Sequence, residues 1–132
     1  MINKNNTQIS DLDEWFRLAG PKSDTQWKDN RSAKECARFW LSYAPALPTP
    51  IRTILEQHSD IGEITEWSAE PEAPVRFDSA RGEPANIDVL IRARDTNGPI
   101  VVAVEAKADE SFGNTLAVQR TRAEAARVKN PR

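Results

Sequence analysis

The chain has 132 residues, of which 39% are hydrophobic and 29% are charged, and its net charge is −2. This length predicts one domain over residues 1–132, and the near-neutral charge argues against a protein that coats nucleic acid without specificity. No apolar run approaches the roughly 18–20 residues that cross a bilayer, and the amino terminus lacks the apolar stretch of a signal peptide, so we expect a cytoplasmic protein without a membrane partner.

The first half of the chain is predicted to be mainly helical. Residues 1–9 look like a flexible arm. Ser10 opens a short helix whose apolar residues recur at helical spacing and which Gly20-Pro21 closes. A second helix starts at a capping box over Ser32–Glu35, in which the serine oxygen binds the glutamate amide. Thr49-Pro50 begins a third helix.

The second half of the chain is predicted to hold the strands. Residues 61–67 alternate apolar and polar side chains as a strand does. Residues 68–85 contain three prolines and a glycine, so we expect a long loop there, with a brief strand over 75–77. A last helix over 115–129 follows from its alanines and arginines. The order of elements predicts an α/β or α+β domain with a small mixed sheet flanked by helices.

A hairpin over 86–94 and 100–107 is predicted from two runs rich in β-branched residues. Turn formers separate the runs and favour a four-residue loop, which pairs Arg94 with Pro99. One side of the hairpin then carries no polar side chain and must pack against another layer. The residues of that side are Ile87, Val89, Ile91, Ala93, Ile100, Val102, Val104 and Ala106.

The other side of the hairpin brings together three ionisable residues. Asp88 lies opposite Glu105 with Cβ atoms about 5 Å apart, and Lys107 shares their side. Two adjacent carboxylates repel each other unless a cation intervenes, and hard oxygen ligands suit Mg²⁺ or Mn²⁺. The trio predicts a metal site where activated water attacks a phosphoryl group. The competing interpretation is a surface ion cluster on the rim of the sheet.

The segments around the hairpin carry further charge. Glu72, Asp78 and Glu83 are each candidates to approach the metal, and the sequence does not choose among them. Residues 117–132 hold five basic residues and one acid, which suits either a phosphate backbone or a solvated helix face. One cysteine and one histidine exclude an internal disulfide and a Cys/His zinc site.

These elements resemble the PD-(D/E)XK nuclease superfamily, the fold of restriction endonucleases. The resemblance rests on Asn86-Ile87-Asp88 and on Val104–Lys107, and it covers about residues 25–120. More narrowly, VEAKADESFG at 104–113, together with RSAKECARFW at 31–40, resembles an uncharacterised bacterial family within that superfamily. The position before Asp88 is isoleucine, where the superfamily pattern has proline.

The resemblance implies a restriction-endonuclease-like core and a metal-dependent nuclease whose partner is nucleic acid, DNA in preference to RNA. Asp88 and Glu105 would bind Mg²⁺ (or Mn²⁺) with help from the backbone carbonyl of Ala106. Lys107 would orient or deprotonate the attacking water. The alternative is a catalytically inactive module of the same fold that binds nucleic acid or protein.

The resemblance further implies catalytic roles for Glu35 and Gln119. The alternative interpretations are that Glu35 caps its helix and that Gln119 lies on a solvated helix face. The superfamily core continues past the last helix into another strand. We therefore expect either that the chain is a fragment of a longer protein or that a partner subunit completes the sheet, as in a homodimer.

Overall fold

The computed structural model describes residues 1–76, 83–108 and 115–129 and contains both predicted kinds of element. The strands are β1 (Asn3–Lys4), β2 (Thr7–Gln8), β3 (Ile64–Val75), β4 (Ala85–Asp95) and β5 (Pro99–Val104). The helices are α1 (Leu12–Ala19), α2 (Ser32–Tyr43), α3 (Thr49–Glu56) and α4 (Leu116–Lys129), with a 3₁₀ turn at Asp24–Gln26. The expected mixture of helices with a small sheet is confirmed. No helix within these ranges is long and apolar enough to cross a membrane.

The main sheet has the order β3-β4-β5, and both neighbouring pairs are antiparallel, so the prediction of a mixed sheet is wrong for these strands. The predicted hairpin register is confirmed, because Arg94 pairs with Pro99 and Val89 pairs with Val104. The apolar side is confirmed as well: Val89 and Ile91 are fully buried. It packs against α1 and α2 in a core that includes Trp15 and Trp40.

The third strand is longer than predicted. We expected residues 68–85 to form a loop, but β3 continues without interruption as far as Val75. The strand tolerates Pro71 and Pro74 because β3 lies at the edge of the three-stranded sheet. An edge strand can lack a backbone N–H on its outer side without losing a hydrogen bond between strands. Residues 77–82, which include part of the predicted brief strand, lie outside the described residues.

The first nine residues do not form the flexible arm that the sequence predicts. They fold into the β1–β2 hairpin, which turns at Asn5 and Asn6 with positive φ angles of 50° and 62°. The amide of Ala69 donates to the carbonyl of Met1 at 3.0 Å, so this hairpin packs on β3. Ile2 and Ile9, on either side of it, are each only 2% exposed.

The helix starts also differ from prediction in detail. α1 is capped by Asp11, whose carboxylate accepts from the Glu14 amide at 2.8 Å. In α2 the N-cap is Arg31, not Ser32, and no side chain caps it. The Glu35 carboxylate does reach back, but it accepts from the amide of Asn30 at 2.9 Å. The predicted capping box at α2 is therefore wrong, because the helix begins one residue too early for Ser32 to serve.

Candidate functional site

Three acidic residues lie in a row at one end of the sheet. Glu72 is near the end of β3, Asp88 is near the start of β4, and Glu105 directly follows β5. The hairpin register continues from its last pair to set Asp88 opposite Glu105, as the sequence predicts. The same counting along the β3–β4 pairing sets Glu72 opposite Asp88. We call Glu72, Asp88 and Glu105 the acid row.

Two members of the acid row are held by neighbours on the hairpin. Asp88 accepts a hydrogen bond at its Oδ2 from the backbone N–H of Ala106, at 2.6 Å. This bond holds the chain beyond β5 against the start of β4. Glu105 accepts at Oε1 from Nζ of Lys107, also at 2.6 Å, and its side chain is 61% exposed. The predicted trio is thus together at the sheet end, with Glu105 and Lys107 on its solvent side.

Glu72 is the member of the row that sequence analysis left undecided. Its carboxylate is hydrogen-bonded by the side-chain amide of Asn86, and its backbone carbonyl accepts from Nζ of Lys4 at 2.7 Å. Its φ of +47° lies in the left-handed region, which non-glycine residues rarely adopt and which clusters at functional sites. Of the other two candidates, Glu83 is exposed and Asp78 lies outside the described residues.

The electrostatics of Glu72 show that the three carboxylates act on one another. Burial raises the pKa of Glu72, and the negative charges of Asp88 and Glu105 raise it further. The hydrogen bond from Asn86 and the charge of Lys4 act in the opposite direction and lower this pKa. The acid row is therefore a place where negative charge is only partly neutralised by the protein.

The donor set of the acid row suits a hard divalent cation, because it consists of carboxylate oxygens whose negative charge is only partly neutralised. As the side chains stand, no three His, Cys, Asp or Glu groups in the described ranges are arranged to hold a metal ion. Each carboxylate is bonded to a protein donor instead. A bound cation would use the carboxylate lone pairs that those donors leave free.

Glu72 and Asp88 line a cleft of about 930 Å³ that lies between the sheet end and the first two helices. Most of the remaining lining comes from α1, from the start of α2 and from residues 21–31, which we call the connecting segment. Its basic side chains in the lining are Lys22, Lys28 and Arg31. These three residues were not among the predicted site residues, although three basic residues in the segment before α2 are a visible signal in the sequence.

Cys36 also lines the cleft, and the pKa of its thiol depends on the negative charge there. Burial raises the pKa of its thiol to about 12, and the charges of Asp88 and Glu72 contribute to the rise. The protonated thiol is a poor nucleophile and a poor metal ligand. Cys36 is therefore part of the wall of this cleft, and the ionisable chemistry belongs to the carboxylates.

The remaining two predicted site residues lie elsewhere. Glu35 is bonded to Asn30 and to Arg38, whose Nη1 lies 2.9 Å from it, and it is not among the residues that line the cleft. Gln119 is exposed on α4, as are all side chains of that helix for which the structure gives a position. The geometry thus supports the central trio more directly than these two.

A family model described as "Domain of unknown function (DUF6946)" matches residues 8–132. This range contains the whole acid row and every residue that lines the cleft. No curated protein and no solved structure matches the chain.

Proposed function

The chain belongs to the DUF6946 family, and we propose that it is a metal-dependent nuclease that hydrolyses phosphodiester bonds in nucleic acid, DNA in preference to RNA. The observation that carries this proposal is the acid row, two of whose members line a cleft that basic side chains also line. A carboxylate row suits a divalent cation, and lysine and arginine suit phosphate. The resemblance to the PD-(D/E)XK superfamily, which rests on the segments that carry Asp88 and Glu105, leads to the same proposal.

In this proposal Asp88 and Glu105 hold Mg²⁺ or Mn²⁺, with Glu72 as a third carboxylate and the Ala106 carbonyl as a further oxygen donor. The cation, when bound, supplies Lewis-acid polarisation of the phosphoryl group and lowers the pKa of water. The hydrogen bond from Ala106 N–H fixes the orientation of Asp88. That fixed orientation removes rotamer freedom from the site before any substrate arrives.

Lys107 has the role of a positioned cation. Its ammonium is kept at the sheet end by Glu105, 2.6 Å away. From there it donates to the attacking water and offsets the negative charge that develops on the scissile phosphate. Because a lysine ammonium carries three donors, it can keep its bond to Glu105 and still donate to water.

The test is cleavage of a fluorescent oligonucleotide with Mg²⁺ or Mn²⁺ and with a chelator. Glu105→Ala and Lys107→Ala should each lower the rate by about 100-fold or more, since each removes a group that acts on the transition state. Glu70→Gln is the matched control, because Glu70 lies on β3 outside the row and pairs with Arg92 at 3.0 Å. Its rate should stay near that of the wild type. Cleavage that survives Glu105→Ala with the fold intact would exclude this mechanism.

A second function, a non-catalytic nucleic-acid-binding module, is favoured by one observation. Each carboxylate of the row already has a protein donor, and Glu105 and Lys107 form a close pair, as in a surface ion cluster. Such a module would bind its partner without Mg²⁺ and would be indifferent to Asp88→Asn. Binding in the presence of a chelator, with no cleavage under any metal, would identify it.

A further inference from the structure

We propose that the connecting segment, and not the arginine-rich helix α4, is the surface that binds nucleic acid, and that it takes a single strand. The inference deepens the proposed function and rests on it for the class of ligand. Sequence alone points to α4, where basic residues are most concentrated. The structure points to Lys22, Lys28 and Arg31 because these three line the same cleft as two members of the acid row, Glu72 and Asp88.

The charge of two of these residues is not neutralised by the protein. Within the described ranges, the ammonium groups of Lys22 and Lys28 have no ion-pair or hydrogen-bond partner. A few residues away the situation is different: Lys34 and Arg38 both bind Asp29, at 2.8 and 2.7 Å. Lys22 and Lys28 are thus cations on the cleft that are available to an anion.

The start of α2 adds to the same wall. Ser32 and Ala33, in the first turn of this helix, line the cleft. No side chain caps this turn. The backbone amides of the helix start, and the positive end of the helix dipole, can therefore interact with an anion. Together with the lysines, this part of the lining offers donors to phosphate oxygens in the cleft that Asp88 also lines.

α4 lacks this relation to the acid row. Its side chains are exposed wherever the structure gives them, and none of them lines the cleft. Arg120 is already paired with Glu124, 2.9 Å away. A strand bound along α4 would therefore gain charge contacts without placing a phosphate beside Asp88.

The dimensions of the cleft favour a single strand. Its volume of about 930 Å³ is that of a small-molecule pocket, which accommodates a few nucleotides. A duplex, whose major groove alone is about 12 Å wide, is much larger than a small-molecule pocket and would stop at the rim. Asp88 and Glu72 are only partly exposed, and a flexible strand can enter to reach them.

The experiment measures binding of a fluorescent oligonucleotide in a chelator, so that no cleavage occurs and metal is not needed. The double variant Lys22→Ala/Lys28→Ala should lower the slope of log affinity against log salt by about 1.4, that is about 0.7 per phosphate contact on a single strand. At 0.1 M salt this corresponds to about 25-fold weaker binding. The control Arg120→Ala/Arg122→Ala should bind nearly as the wild type does. A duplex of the same sequence should bind at least tenfold more weakly.

Three outcomes would overturn the inference: no binding by the wild-type protein, a larger loss in the α4 double variant than in the lysine double variant, or equal affinity for the duplex. Thermal melting of each variant checks that the fold is intact. The proposed function fails separately. If the lysine dependence is found but no metal supports cleavage, the binding surface stands and the nuclease does not. If cleavage depends on Glu105 but binding is unchanged by replacing the two lysines, the nuclease stands and the proposed binding surface does not.

Discussion

Replacing Glu72 by glutamine should raise the stability of the metal-free protein. Burial and the charges of Asp88 and Glu105 raise the pKa of Glu72, so its ionised form opposes folding at neutral pH. The glutamine side chain keeps an oxygen that can accept the hydrogen bond from Asn86. The substitution therefore removes one negative charge and little else.

The size of the effect follows from the row geometry. Facing positions on paired strands put the Cβ atoms about 5 Å apart, and we take this distance as the separation of the charges. Coulomb's law then gives about 0.8 kcal/mol in water and about 3 kcal/mol at an effective dielectric constant of 20. Partial exposure of Glu72 and the opposing charge of Lys4 favour the lower value. For a domain of this size, about 1 kcal/mol raises the melting temperature by about 3–5 °C.

Thermal melting with and without Mn²⁺ provides the assay. At ten times its Kd, Mn²⁺ should stabilise the wild-type protein by about 1.4 kcal/mol, and Glu72→Gln should shrink that shift. The control is Glu70→Gln, two residues away from Glu72. It removes the ion pairs of Glu70 with Lys4, at 3.4 Å, and with Arg92, at 3.0 Å. It should not gain stability, and its Mn²⁺ shift should match the wild type. A lower melting temperature for metal-free Glu72→Gln would refute the electrostatic reasoning.

Three further predictions concern other parts of the molecule. The pKa of Asp95 is held below its usual range, chiefly by the hydrogen bond from the Gly62 amide. The ionised carboxylate therefore stabilises the folded protein at neutral pH, and this stabilisation is lost as the pH falls through the lowered pKa. In melting experiments, the loss of stability caused by Asp95→Asn should become smaller on acidification. Ile9→Ala should cost about 2–4 kcal/mol in denaturant unfolding, whereas Ile54→Ala, at a position 66% exposed, should cost far less. Cys36, with its thiol pKa at about 12, should react with a maleimide at pH 8 far more slowly in the folded than in the unfolded protein.

The hairpin was predictable because its determinants are local. The turn formers between the two runs fix which residues face each other, and alternation then assigns every side chain to a side. Asp88 and Glu105 are 17 positions apart in the sequence, yet the register needs only the loop length to bring them opposite. The apolar side needed no knowledge of its partner layer.

Features that depend on distant parts of the chain were not predictable in the same way. Pro71 and Pro74 argue against a strand unless one knows that β3 lies at an edge, and that follows only from the sheet order. Ile2 and Ile9 are an apolar pair in a polar segment, and their burial depends on where β3 passes. Glu72 joins the acid row for the same reason, because its place opposite Asp88 depends on the β3–β4 pairing.

The distribution of charge within the cleft separates a ligand site from an ordinary solvated surface. Surface ions that lie near one another usually pair, as Lys34 and Arg38 do with Asp29. In the cleft, Lys28 has no partner in the described part of the chain, and the carboxylate of Glu72 is bonded to a neutral amide. Charge of both signs that is only partly compensated in one concave space lowers stability, and such departures concentrate at functional sites. A divalent cation on the acids and a phosphate between cation and lysines would compensate both charges at once.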